Sequence, residues 1–321
     1  MERVYLGVDV GGTKTAVILS ARPPEALGRI EFATSPEMGP ARALRLIVES
    51  GRSLLEQHGL GVQAVGVSCG SPLDRVKGII QAPPNLSTWV DVDIRSLLEE
   101  AFAAPCRVEN DANAGAVAEH RFGAGVGADH MVFLTLGTGL GAGIIANGSL
   151  YLGAQGDAGE IGHVRLSATG PVGYHKAGSI EGWSSGGGIA QLAAQVLARP
   201  GRRSALHAVE NVTARDVGLA AQAGDAVARS ILRRSGERLG QTLAMLMDVL
   251  NPQRIVLGGL AWRMGEPFMA PMRRVMEREA LPQTLRACEV VPAALGEKIG
   301  DVAAMCVAMG LEGRGQGLTG K

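Results

Sequence analysis

Residues 5–19 read YLGVDVGGTKTAVIL: an apolar run, then Asp9, Gly11, Gly12, Thr13 and Lys14, then a second apolar run. Two short apolar strands joined through a glycine pair predict a hairpin. Residues 130–153, HMVFLTLGTGLGAGIIANGSLYLG, repeat the order of events, with an Asn-Gly turn and a further strand added. The identity between the two stretches is low, but the succession is the same. A third glycine pair, Gly258-Gly259, closes the strand-like RIVL. Three strands that end in glycine turns, spread over the whole chain, suggest an α/β protein that holds one ligand between two lobes.

Glycine turns after strands suit anions, because backbone N–H groups can approach phosphate oxygens where no Cβ intervenes. Two common phosphate patterns fail. The GxxxxGK[ST] pattern starting at Gly7 places Thr13 where lysine is required. GTGLGA (137–142) fits GxGxxA, but a hairpin strand follows where a helix is needed. What remains is a strand–turn–strand loop with an acid before its glycines. Asp9 there suits Mg²⁺, and Gly11, Gly12, Thr13 and Lys14 suit phosphates. Taken alone, the loop is equally a plain hairpin in which Asp9 caps backbone N–H groups.

At 321 residues the chain suits about two domains. Its 31 Lys+Arg balance 31 Asp+Glu, so no basic excess is left to neutralise a nucleic-acid backbone. Cys69, Cys106, Cys288 and Cys306 are widely spaced and read as small hydrophobes in a reducing compartment. Residues 131–156 carry no charge, yet their glycines and Asn147-Gly148 predict short strands rather than a membrane span. With MER running straight into a strand, no signal peptide is expected and the cytoplasm is the expected location.

Residues 42–57 put Leu44, Ile47, Val48, Leu54 and Leu55 on one helical face. AVGVSCG predicts a strand, and PPNLSTW a Pro-interrupted loop that cannot be helix. RVEND ends a strand and ANAGAVAEHRF begins a helix. Residues 154–188 read as a glycine-rich loop, 226–250 as a long helix stopped by Asn251-Pro252, RIVLGGLA as a strand and 298–310 as a last helix. EGRGQGLTGK reads as a frayed tail.

Together DVGGTK, ENDANAGAVAE, TLGTGLGAGIIANG and GDAGEIGH resemble the sugar kinases of the ROK family, and these motifs span most of the chain in the family's order. The resemblance implies an actin/hexokinase-like (ribonuclease H-like) α/β ATPase fold of two domains with ATP in the cleft between them. The expected division is residues 1–113, joined by the C-terminal segment 298–321, and residues 114–297. It further implies Mg-ATP-dependent phosphorylation of a hexose primary hydroxyl, glucose being the first to try, by a homodimer. Asp9, Gly11, Gly12, Thr13 and Lys14 would form the first phosphate loop, Thr138 and Gly139 the second, and Gly258 and Gly259 the nucleoside contact. Asp9 would place Mg²⁺ directly or through water. Asp111 would be the general base, although an Asp at a strand–helix junction is equally an N-cap.

By the same resemblance, Asn85, Asn110, Asp111, Glu160, His163 and Glu181 would bind the sugar. Glu160 and His163 also fit a solvated loop, or an i, i+3 metal pair with only His175 nearby as a third ligand. Trp89 is expected to anchor its loop rather than stack on the sugar. The chain departs from many relatives in one respect: GPVGYHKAGSIEGWSSGGG replaces a cysteine-rich zinc segment. Without thiolates no zinc site is expected, and protein groups must orient His163. Other acceptors (N-acetylmannosamine, N-acetylglucosamine, fructose, a β-glucoside) or a non-catalytic sugar-sensing regulator are the alternatives. The early phosphate loop leaves no room for a DNA-reading domain before it, and no nucleic acid or membrane partner is expected.

Overall fold

The computed structural model describes residues 3–310; the tail EGRGQGLTGK, and with it the end of the expected C-terminal segment, lies outside the described residues. The chain forms two compact units. One takes residues up to Val126, Gly148–Tyr151 and the chain from Leu295 on; the other takes Gly127–Asn147 and Leu152–Ala294.

In the first unit, strands β1 (Arg3–Val10) and β2 (Lys14–Ser20) pair antiparallel, with Val10 opposite Thr15 across the glycine turn. Strand β3 (Gly28–Ala33) lies on the far side of β2. Helix α1 (Gly39–His58) buries Ala43, Leu44, Ile47 and Leu54 and stops where Gly59 turns left-handed. Strand β4 (Gly61–Cys69) runs parallel to β1 and is buried from Ala64 on, as expected of a strand covered on both faces. Short strands β5 (Leu73–Asp74), β6 (Ile79–Ile80) and β7 (Val92–Asp93) make a small sheet leading to helix α2 (Ile94–Phe102), capped by Asp93. Strand β8 (Cys106–Asn110) is parallel to β4 and passes directly into helix α3 (Asp111–Phe122). The sheet order is β3-β2-β1-β4-β8.

The PPNL segment corrects one expectation. Pro84–Leu86 forms a single 3₁₀ turn with Pro84 at its first positions, where a missing N–H is harmless. Trp89, 1% exposed, anchors that segment as expected, and its carbonyl accepts the Ala82 N–H at 2.7 Å. The last helix, Ile299–Met309, packs on β1 and β4 with Val302 through Ala308 buried. Buried Glu119 fixes the approach to it, accepting the Leu295 N–H at 3.0 Å.

The second unit opens with β9 (Met131–Leu136) and β10 (Leu140–Ala146), again an antiparallel hairpin over glycines. Asn147 and Gly148, at φ 51° and 70°, turn the chain towards β11 (Ser149–Leu150). The supposed glycine-rich loop is more ordered than its composition suggests. It contains a tight hairpin of β12 (Val172–Gly173) and β13 (Lys176–Ala177), helix α4 (Ile180–Ser184) and the start of helix α5 (Gly186–Leu197). Ser179 and Ser185 supply the N-caps, accepting from Gly182 and Gly188 N–H groups at 3.1 and 3.0 Å, and so offset the low helix propensity of glycine.

Helices α6 (Ala214–Gln222) and α7 (Ala226–Leu250) follow, the latter ended by left-handed Asn251. Strand β14 (Arg254–Leu257) is shorter than RIVLGGLA, because Gly258 caps and Gly259 begins helix α8 (Gly259–Met264). Helices α9 (Glu266–Glu279) and α10 (Pro282–Ala287) and strand β15 (Glu289–Pro292) complete the unit. Strands β14 and β15 are parallel to β9, so β10-β9-β14-β15 has the order and directions of β2-β1-β4-β8. The weak sequence echo is therefore a repeated topology.

A Cβ on Gly66 of β4 would collide with the backbone of Ala304 and Ala308 in the last helix. Gly66→Ala should lower the urea midpoint of the protein, at a cost of about 1–3 kcal/mol. A midpoint matching that of the native sequence would show that the helix is free to shift.

Candidate functional site

The junction of β8 and α3 decides what Asp111 is free to do. Both Asn110 and Asp111 are favoured capping residues, and the cap goes to Asn110. Its Oδ1 accepts the N–H groups of Ala112 and Asn113 at 2.9 and 3.3 Å, and its Nδ2 donates to Ser71 Oγ at 2.7 Å. Asp111 is thereby the first helical residue. Protein packed densely around the carboxyl raises its pKa above the usual carboxylate range, opposed by the N–H groups of Ala112 and of Asp111 itself.

Behind the junction lies an ion pair that sequence reading missed. Glu109, 1% exposed, receives Arg75 Nε at 2.9 Å on Oε2. Its Oε1 accepts Asn110 N–H at 3.0 Å and Asn113 Nδ2 at 3.1 Å. The partners are 34 residues apart, so no local pattern connects them.

Asp9, at the end of β1, is half-buried, and its pKa is raised from 3.8 to about 7. Loss of solvent is the main cause, followed by the negative charges of Asp111 and Asp301; Lys14 and Arg29 oppose them. Asp301, also missed, is held by Arg29 Nε at 2.7 Å. The available signal was a single carboxylate at the start of the apolar segment IGDVAAMCVAM. Lys14 projects to Glu31 at 3.1 Å, and Gly11 N–H closes the turn on Lys14 O at 3.1 Å. A Cβ on Gly12 would come within 2.5 Å of both Cβ and O of Asn85, so the glycine turn and the Asn85 segment touch. Thr13 and Asn85 are exposed. The first unit thus brings together Asp9, Gly11, Gly12, Thr13, Lys14, Asn85, Asn110 and Asp111.

In the second unit, the β9–β10 turn is braced from below. Gly137 O and Thr138 O accept N–H groups of Gly186 and Gly187 at 2.8 and 3.0 Å, while Thr138 itself is exposed. Glu181 Oε2 accepts the Leu140 N–H at 3.1 Å beside Gly139, which leaves Oε1 for any other partner. Gly258 N–H donates to Leu134 O at 2.8 Å, setting the start of α8 against β9. Glu160 precedes and His163 ends a 3₁₀ turn, Ile161–His163, and both are exposed. Lys176 Nζ donates to His163 O at 2.8 Å, and the rings of His163 and Tyr174 meet edge-on at 6.1 Å. Tyr174 and His175 form the β12–β13 turn at φ 38° and 64°. These contacts restrain the histidine from the hairpin that stands in the cysteine-free segment. Among the described residues, no three His, Cys, Asp or Glu side chains are grouped to hold a metal ion. All four cysteines are free, and burial raises their thiol pKa values, which makes them unreactive.

The ROK family model matches residues 5–310. A glucokinase from Halalkalibacterium halodurans is 35% identical over 309 residues, spanning 93% of this chain and 93% of that protein. The structure of a ROK hexokinase from Thermus thermophilus superposes with a TM-score of 0.81 at 30% identity, covering 95% of this chain and 98% of that one. A ROK glucokinase from Streptomyces griseus, in complex with glucose and AMPPNP, gives a TM-score of 0.76 at 32% identity, with 95% and 99% covered.

The raised pKa of Asp9 has a consequence for stability. Between pH 4 and pH 7 the folded chain keeps a proton on Asp9 that the unfolded chain has released, so Asp9 lowers stability as pH rises to about 7. Asp9→Asn should therefore raise the Tm at pH 8 by at least about 2 °C and have less effect at pH 4. An equal change at both pH values would place the charge elsewhere.

Proposed function

The chain belongs to the ROK family and has its actin/hexokinase-like ATPase fold; from that premise we propose that this ATP-dependent sugar kinase phosphorylates the primary hydroxyl of a hexose, with glucose the first candidate. The observation that carries the assignment of roles is the division of labour at β8–α3. Asn110 closes the helix, so Asp111 is not its cap, and the surrounding protein raises the basicity of the Asp111 carboxylate against the opposing N–H groups of Ala112 and Asp111 itself. A carboxylate with a raised pKa is a better proton acceptor for a sugar hydroxyl at neutral pH. With its charge steadied before the reaction by the positive end of α3, Asp111 takes the hydroxyl proton as the oxygen attacks the γ-phosphorus and the bond from that phosphorus to the β,γ-bridging oxygen breaks, ADP leaving.

Asn110 and Asn85 hold the acceptor from the first unit, and Glu160, His163 and Glu181 are its ligands from the second. Side chains that both donate and accept at fixed angles suit sugar hydroxyls. Gly11, Gly12, Thr13 and Lys14, with Thr138 and Gly139, offer backbone N–H groups, hydroxyls and an ammonium to phosphates; Gly258 and Gly259 lie against the nucleoside. The mutual repulsion of Asp9, Asp111 and Asp301 fits a divalent cation beside Asp9, bound directly or through water. Mg²⁺ there would neutralise phosphate charge, and an ion arriving with the nucleotide needs only one or two protein carboxylates. Lys176 and Tyr174 restrain His163 where no thiolate ligand exists, so purified protein should hold less than one zinc ion per chain by metal analysis. The enzyme works as a cytoplasmic homodimer, which its four free cysteines suit.

Asp111→Asn should cut kcat by about 10³-fold while AMPPNP affinity is kept and the Tm does not fall; turnover within tenfold of the native enzyme would remove Asp111 as the base. A coupled ATP assay over glucose, N-acetylmannosamine, N-acetylglucosamine, fructose and a β-glucoside should give the highest kcat/KM for glucose. Binding of a sugar with no turnover for any of them would mark a sensor instead. Because Asp9 must be ionised to hold the cation, apparent Mg²⁺ affinity should fall about tenfold per pH unit below about 7. A flat profile would exclude Asp9 as its ligand.

A further inference from the structure

On the second unit, apart from the residues assigned above, a recess of about 310 Å³ is lined by Trp183 of α4, Arg234, Glu237, Arg238 and Gln241 of α7, and Val275 and Arg278 of α9. Trp183 is 5% exposed, and its ring carries two guanidinium groups, Arg234 at 5.6 Å and Arg238 at 5.0 Å from the centroid. Among the described residues, neither arginine forms an ion pair. Arg238 donates to the neutral Gln241 at 2.8 Å, and the lining carboxylate Glu237 is taken by Arg233 at 3.2 Å. Arg278 adds a further cation, shared with Glu279 at 2.7 Å.

The cluster is electrostatically costly. Arg234 is pushed below the usual arginine pKa by loss of solvent and then by Arg199, Arg238, Arg233 and Arg202. Charges of one sign around a low-dielectric wall focus a potential that attracts the opposite charge. Guanidinium forks match the oxygens of phosphate in planar, bidentate pairs, and stacking on Trp183 fixes their planes in advance. A volume near 300 Å³ is at the small end of ligand pockets and suits one phosphorylated monosaccharide or a pyrophosphate, not a whole nucleotide triphosphate.

We propose that this recess binds a small phosphorylated anion, with Arg234 and Arg238 on its phosphate and Trp183 as the floor. The site is separate from the catalytic residues assigned above and does not depend on them. It nevertheless has a physical link to them, since α4 carries Trp183 and also Glu181, whose carboxylate accepts the Leu140 N–H of the second glycine turn.

The test titrates the full-length protein with inorganic phosphate, pyrophosphate and a hexose 6-phosphate, using calorimetry and tryptophan fluorescence, against sodium chloride at equal ionic strength. Saturating AMPPNP is kept present to occupy the nucleotide site. At least one probe should bind and change the fluorescence, and the R234Q/R238Q double variant should weaken it at least tenfold. That variant should keep the native Tm within a few degrees and the basal turnover within twofold, which excludes misfolding as the cause. Trp183→Phe should abolish the fluorescence change while calorimetric binding persists. The proposal is overturned if chloride reproduces the response, if the double variant binds as tightly as the native chain, or if AMPPNP abolishes binding. It is equally overturned if no probe binds and the double variant instead changes the sedimentation of the oligomer, since the arginines would then be an interface between copies.

Discussion

Two hydrogen bonds that Asn110 Oδ1 accepts, from the N–H groups of Ala112 and Asn113 in the first turn of α3, decide which of two adjacent side chains closes the helix. A helix start demands a capping acceptor, and either side chain of the Asn110-Asp111 pair can supply one. With the amide as the cap, the carboxylate of Asp111 is met by the N–H groups of Ala112 and of Asp111 itself, which partly offset its raised pKa. The amide is itself fixed by Ser71, and its backbone N–H by Glu109, whose charge is answered by Arg75. A buried pair of this kind is weak evidence for stability but gives one arrangement a clear preference over others.

The same part of the first unit concentrates negative charge that the fold does not cancel. Asp9 and Asp111 both lie above the ordinary carboxylate pKa range, whereas Asp301 is held by Arg29. Unpaired carboxylates crowded at the end of a parallel strand lower stability, and chains retain such strain where a ligand relieves it. The arginines around Trp183 are the counterpart of opposite sign in the second unit.

The fold was legible where local chemistry decides it. The two glycine hairpins, the strand-to-helix step at residue 110 and the stop at Asn251 all follow from turn residues, caps and apolar period. Glycine content misled between 154 and 188, because serine caps that start α4 and α5 count for more there than mean propensity. The site was legible as residue types but not as geometry. Which of two capping residues takes the cap, the seat of Glu181 under Leu140, and the partners of Glu109 and Asp301 all rest on contacts between distant parts of the chain. Repetition of strand order survived in the second unit with little sequence identity, since such a sheet asks only for apolar strands and small turn residues.

The absence of a side chain at Gly12 has a wider consequence. The segment around Asn85 packs on that bare backbone, so a change in one loop bears on the other. Remodelling the Asn85 segment would displace the turn beside it. In the second unit, by contrast, the turn that carries His163 is steadied by one hairpin, through Lys176 and Tyr174.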